Sequence, residues 1–207
     1  MTTLESVTLA SVTLEVSDPP AAETFYADAF GLGDRVRVRT SGALTTGFRG
    51  FTLSLVVSQP STVDSLVGTA IDSGATTLKP ASKGLWGYGG VVRAPDGAIW
   101  KIATSSKKDT GPVTREVDDI VLLLGVADVK ATKKFYVDRG LAVKRSFGAK
   151  YVEFDTPGSQ LKLALYGRRA LAKDAGVSPD GNGSHRIVID SDAGPFTDPD
   201  GFAWETA

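Results

Sequence analysis

Cysteine is absent from this chain of 207 residues, and histidine occurs once, as His185. Without thiols there can be no disulfide, no thiolate metal site and no cysteine nucleophile. Charge of either sign is not in excess: 23 Lys and Arg against 24 Asp and Glu leave a formal net charge of −1. That balance gives no electrostatic case for nucleic acid or an anionic membrane surface. No apolar run reaches the roughly 18 residues that a membrane-spanning helix needs. The opening Met1-Thr2-Thr3-Leu4-Glu5 has neither the basic region nor the apolar stretch of a secretory signal, so a cytoplasmic setting is expected. A Gly-x-Ser-x-Gly nucleophile elbow is missing, Gly181-Asn182-Gly183-Ser184 lacks the lysine of a phosphate loop, and Gly31-Leu32-Gly33 lacks the rest of a dinucleotide fingerprint. What remains is a protein with an apolar content of 42%, enough for a sizeable core, and small, roughly neutral partners.

What is present is present twice. Val16-Ser17-Asp18 followed by Phe25-Tyr26 recurs as Val126-Ala127-Asp128 followed by Phe135-Tyr136, and Pro95-Asp96-Gly97 before Trp100 recurs as Pro199-Asp200-Gly201 before Trp204. Two markers repeating in the same order indicate a tandem duplication. Within the first copy, Val7 to Val16 alternates as a half-buried strand. Asp18 and Pro19 then suit a helix start, and Ala22, Phe25, Tyr26 and Ala29 form one apolar stripe ended by Gly31. Strands are expected at Arg35 to Thr40, Leu44 to Phe48 and Phe51 to Val57. The spacing Ser61-Thr62-Val63-Asp64 predicts a capped helix through Val63, Leu66, Val67, Ala70 and Ile71, with Gly74 as its stop. Thr76 to Leu78, Gly90 to Arg93 and Ile99 to Ala103 return as strands.

Ser105 to Pro112 is polar and reads as a linker, which divides the chain into domains at 1–104 and 115–207 with 105–114 between them. The second copy repeats strand, helix and three strands over Asp119 to Tyr166. A short helix is expected at Arg168 to Ala175 and a loop at Val177 to Ser184. Only two strands follow, near His185 to Ile189 and Phe202 to Thr206, so the last unit has lost its helix. The face that helix would have covered must be buried by the Arg168 to Ala175 segment or by the other half of the molecule, or serve instead as a dimer interface.

The ordered set of strand, helix-opening Asp, Phe-Tyr, Gly and a closing Pro-Asp-Gly turn before Trp resembles the vicinal oxygen chelate superfamily, which includes glyoxalase I, extradiol dioxygenases and bleomycin-resistance proteins. The resemblance implies an α+β fold: tandem glyoxalase-like domains built from paired βαβββ modules, with curved mixed sheets forming cups. In metal-dependent relatives a His stands seven residues before the Asp that opens the helix. Those places hold Ser11 and Val121 here, and the Glu after the terminal Trp is Lys101 in the first half and Glu205 in the second. His185 and Glu205 are thus the remaining metal-ligand candidates, with Asp190 or Asp198 as further oxygen donors.

Alternation puts Ser11, Thr13 and Glu15 on one strand face and Ile99, Lys101 and Ala103 on another. If both faces line the cup, Glu15 and Lys101 meet there, either as a salt bridge in place of the metal site or as an acid-base pair. Trp86-Gly87-Tyr88-Gly89-Gly90 reads as a pocket wall or as a glycine-rich hairpin closing the cup. Ser11, Glu15, Trp86, Tyr88 and Lys101 are therefore the ligand-binding candidates.

Two functions follow. The first is a glyoxalase/bleomycin-resistance-like protein, monomeric or homodimeric, that holds a small organic molecule without a catalytic metal or other cofactor. The second is a lyase, isomerase or dioxygenase that uses a divalent metal on His185 and Glu205.

Overall fold

The computed structural model describes residues 7–85 and 87–207. In chain order its elements are β1 (Leu9–Val16), α1 (Pro19–Ala29), a 3-10 turn at Gly33–Arg35, β2 (Val36–Thr40), β3 (Thr45–Gly47), β4 (Phe51–Val56), α2 (Pro60–Asp72), β5 (Thr76–Gly84), β6 (Gly87–Arg93) and β7 (Ile99–Thr104). After the linker come β8 (Asp119–Val126), α3 (Val129–Val137), β9 (Ala142–Phe147), β10 (Tyr151–Asp155), β11 (Lys162–Gly167), α4 (Arg168–Ala175), β12 (Gly181–Gly183), β13 (Ile187–Ser191), β14 (Phe196–Thr197) and β15 (Ala203–Thr206).

The sheets do not follow the halves of the sequence. An eight-stranded sheet runs β5-β6-β7-β4-β8-β11-β10-β9, and a five-stranded sheet runs β14-β15-β13-β1-β2. Each half of the chain therefore contributes to both. In the larger sheet two complete βαβββ modules meet: β4 lies parallel to β7, β8 lies parallel to β11, and β4 pairs antiparallel with β8. In the smaller sheet β1 pairs antiparallel with β13, and β1 with β2 and β13 with β15 run parallel. Both outer modules are short there. The last lacks its helix, as expected, while the first supplies only β1 and β2, because β3 leaves to pair with β12 in a separate ribbon inside the stretch expected to be a loop.

The helices α1, α2 and α3 lie between the sheets, and the inner faces of both sheets share one core with them. Asp18 caps α1 through its carboxylate, which accepts from Ala21 N at 3.1 Å, and Gly31 ends it at a φ of +64°. The capping box expected at Ser61 does not form. Helix α2 starts at Pro60, and Ser61 N donates instead to Asp109 of the linker at 2.8 Å. The Gln59 side chain adds bonds to Thr110 N at 2.8 Å and Gly111 N at 2.9 Å, so the linker is strapped across the start of α2.

The repeated aromatics are cross-sheet ties. Tyr26 on α1, which follows β1 of the smaller sheet, packs 5.5 Å from Trp100 of the larger one and donates to Asp96 at 2.6 Å. Tyr136 on α3, which follows β8 of the larger sheet, packs 5.3 Å from Trp204 of the smaller one and donates to Asp198 at 2.6 Å. Burial, reinforced by the facing carboxylate, holds both phenols well above the ordinary tyrosine value of 10.0. Burial also raises the Asp198 carboxyl.

An alkaline titration should expose this. The raised phenols keep their protons in the folded state while the unfolded chain releases them near 10, so their contribution to stability is full below 10 and is lost as the pH rises beyond it. Of the five tyrosines, Tyr26 and Tyr136 should ionise only as the fold is lost. In absorbance at 295 nm recorded alongside circular dichroism, Tyr26→Phe and Tyr136→Phe should each remove part of the late component. Reversible ionisation of all five near pH 10 with an unchanged fold would count against the assignment.

Candidate functional site

The open face of the five-stranded sheet, opposite the helices, gathers its polar residues by register. Ser11 on β1 faces Asp190 on β13, which faces Glu205 on β15, and Glu15 on β1 faces Arg39 on β2. Asp190 is only 7% exposed, and its Oδ2 accepts from Ser11 Oγ at 2.7 Å and Thr13 Oγ1 at 2.8 Å. Arg39 is the centre of the face. Its Nη2 and Nε donate to Glu15 Oε1 at 2.8 and 3.1 Å, and its Nη1 donates to both oxygens of Glu205 at 2.9 Å. Because β2 and β15 are separated by two strands, Arg39 and Glu205 span the curved face from opposite sides. The Glu15 hydrogen bond raises the guanidinium above its ordinary value, so it is a permanent cation between two carboxylates. Beside it a cavity of about 310 Å³ is lined by Glu15, Arg39, Ser184, His185, Val188 and Ala203.

His185 is not placed as a ligand. Its Nδ1 faces Arg49 O at 2.5 Å, its Nε2 faces Asp200 O at 2.9 Å, and its ring stacks on Phe202 with centroids 3.9 Å apart. Both nitrogens are turned to carbonyl oxygens, so neither presents a lone pair to an ion. Glu205 is held by Arg39, so His185 and Glu205 do not face one another in this structure. Asp198 serves the core through Tyr136, and Val121 stands on the other sheet opposite Ser54. Among the described residues no group of three His, Cys, Asp or Glu side chains is arranged to hold a metal. A hydroxyl where a histidine would stand, with a guanidinium between the carboxylates, does not fit a divalent ion.

Glu15 and Lys101 do not meet either. Strand β1 belongs to the five-stranded sheet and β7 to the eight-stranded one, so the two side chains lie on different faces. Lys101 instead pairs with Asp174 of α4, Nζ to Oδ2 at 2.7 Å. Lys101 and Tyr88 do share a cavity, of about 370 Å³, with Lys79, Val91, Ala103 and Asp174. Trp86 lies outside the described residues. The neighbouring glycines are set by the strands themselves: a Cβ on Gly87 would stand 2.0 Å from Thr104 O, and one on Gly89 would stand 2.8 Å from Ile102 O. The structure thus brings Ser11 and Glu15 to one face, and it turns Lys101 and Tyr88 to opposite sides of the eight-stranded sheet, Lys101 toward Asp174 of α4 and the Tyr88 hydroxyl toward Asp64 of α2. Sequence reasoning missed Arg39 and Asp174. The alternation of Val36-Arg37-Val38-Arg39 announces a half-exposed strand, but nothing in it says which face Arg39 joins.

A βαβββ module whose first and last strands lie side by side in parallel, paired with a second module into a curved sheet, defines the fold of the vicinal oxygen chelate superfamily, and this chain has that fold. Among solved structures it is similar to glyoxalase I from Zea mays, at 17% identity over 96% of this chain and 91% of the other, with a TM-score of 0.62. A putative dioxygenase from Bacillus subtilis is similar at 14% identity over 88% of this chain and 69% of its own, with a TM-score of 0.56. A glyoxalase/bleomycin resistance protein/dioxygenase family enzyme from Burkholderia phytofirmans matches 47% of this chain over 98% of its own, at 22% identity and a TM-score of 0.38. No family model and no curated protein matches the sequence. No helix among the described residues is long and apolar enough to cross a membrane.

Proposed function

We propose that this protein binds a small organic molecule on the open face of the five-stranded sheet, without a catalytic metal. The observation that carries the reading is Arg39, whose guanidinium holds Glu15 and Glu205 where an ion would otherwise need them. A fixed organic cation can orient and neutralise a ligand, but it has no open coordination position at which to polarise a substrate oxygen. The adjoining cavity offers an apolar floor at Val188 and Ala203 and a polar rim at Glu15, Arg39 and Ser184. That combination suits a compact molecule with one or two polar groups. Ser11 contributes by holding Asp190 in place. On this reading the protein works in the cytoplasm, as a monomer or homodimer.

The metal-dependent alternative requires His185 to leave two carbonyl partners and Glu205 to leave the Arg39 Nη1 that both its oxygens share. Elemental analysis of protein purified under mild conditions separates the two. We expect less than about 0.1 metal ion per chain, since two unconnected ligands seldom retain an ion. His185→Ala and Glu205→Gln should leave that content unchanged. Stoichiometric metal lost in either variant would overturn the proposal.

A further inference from the structure

The ribbon of β3 and β12 lies beside the turn between β6 and β7, and a cavity of about 350 Å³ is lined by both. It shares no lining residue with the cavity on the five-stranded face or with the one at Lys101. Two guanidiniums line it, those of Arg49 and Arg93, against one carboxylate, that of Asp180. Among the described residues neither arginine is paired with a carboxylate. Arg49 is half-buried, yet among those residues its five N–H groups have a single acceptor, the carbonyl oxygen of Asp96. Both oxygens of the Asp96 carboxylate are taken, by the Tyr26 hydroxyl and by Ala98 N. Asp180 Oδ2 accepts from Ser178 Oγ at 2.7 Å. Burial lowers the Arg49 guanidinium below its ordinary value; Asp96 opposes this, and the neighbouring Arg186 and Arg93 add to it. An anion in the cavity would satisfy the spare donors and relieve the repulsion.

We propose that this cavity binds a phosphate group, either free or carried on a small organic body. The planar fork of an arginine takes two oxygens at a time, so a carboxylate would occupy one fork and leave the other unused. A phosphate has three acceptor oxygens and can serve both. Thr45 and Thr46 line the same cavity and bring two hydroxyl donors to its wall. Gly97 allows the arrangement: at its φ of +93°, a Cβ would stand 2.7 Å from Arg49 Nη2, so glycine is what lets the guanidinium lie against the turn. The cavity is larger than one phosphate, and Val177, half-buried on its wall, offers an apolar contact for a carbon body. The site stands independently of the ligand proposed for the five-stranded face.

The test uses the full-length chain labelled with ¹⁵N and titrated, at constant ionic strength, with inorganic phosphate, with phenyl phosphate and with nitrate as the control anion. Both phosphates should give saturable shifts at Thr45 to Arg49, Arg93, Gly97, Ser178 and Asp180, and nitrate should bind about tenfold more weakly, as expected for losing one charged contact. Tighter binding of phenyl phosphate assigns the site to a phosphorylated small molecule, and equal binding of the two assigns it to free phosphate. Arg93→Gln, at an exposed position, should weaken both phosphates about tenfold. Arg49→Lys keeps the charge but loses the fork and should weaken them several-fold. Thermal unfolding of both variants near that of the parent shows that they fold. Nitrate binding as tightly as phosphate, an unchanged affinity in Arg93→Gln, no saturable shift at these residues, or shifts at Ser11, Glu15 and Ser184 instead would each overturn the proposal, and the last would report the five-stranded face separately.

Discussion

Residues 1–114 and 115–207, produced as separate chains, are expected not to fold alone and to regain structure when combined. Both long antiparallel ladders that hold the sheets together, β1 with β13 and β4 with β8, run between the two sequence halves. Cutting the linker and separating the pieces strips β4 and β8 of their central partner. It also exposes the edges around Leu53, Leu55, Leu122 and Leu124, which are fully buried in the intact protein. An unpaired hydrophobic edge in mid-sheet favours aggregation over a stable domain. The expected result is the loss of any cooperative melt in either half, with recovery of the native circular dichroism after co-expression. A sigmoidal transition and a dispersed NMR spectrum from one half alone would make that half an autonomous domain and refute the expectation.

The second large effect concerns the aromatic ties. Trp204→Ala should cost about 3–5 kcal/mol, the usual range for deleting a fully buried large aromatic. In a chain of this size each kcal/mol moves the midpoint by roughly 2–4 °C, so Tm should fall by about 10 °C. Trp204 is 1% exposed, stacks on Phe196 at 4.9 Å, packs on Tyr136 at 5.3 Å, and donates from Nε1 to the Tyr136 hydroxyl at 3.2 Å. Removing it opens a cavity and takes a donor from the Tyr136 to Asp198 pair. Trp100→Ala should cost a similar amount, because Trp100 is likewise buried between Tyr26 and Phe30 at 5.5 and 5.0 Å. Trp204→Phe should recover part of the loss. Urea unfolding measures all three, and a cost below about 1 kcal/mol for Trp204→Ala would show that the smaller sheet is not tied through this residue.

Much of the fold was legible because it rests on local patterns. Asp18 and Asp128 cap the helices that their spacing predicts, and Phe25-Tyr26 and Trp100 are core residues. The missing helix of the last module also shows in the chain as a shortage of residues between strands. The exceptions have physical causes. The start of α2 takes its cap from Asp109, distant in sequence, and the glycine stretch before Val91 is part of β6 because close strand packing requires it. The uncovered face of β13 and β15 is buried by α3 through Tyr136 and Trp204, while α4 goes to the opposite face of the larger sheet.

The candidate site was legible only in part. That Ser11 and Val121 stand where the family resemblance leads one to expect histidines, and that β1 has a polar face, could be read from the sequence. Strand pairing decided the rest. Alternation tells which residues share a face of one strand, but it does not tell which strand lies beside it. Glu15 therefore met Arg39 and Glu205 rather than Lys101, and Lys101 met Asp174. The sequence by itself determined the duplicated α+β architecture and the residues, Ser11 and Val121, that stand seven places before each helix-opening Asp, because those depend on residue type and local spacing. Only the tertiary structure decided that the halves interleave, that an arginine joins the two carboxylates, and that α4 sits on the second face, because each depends on contacts between residues far apart in the chain.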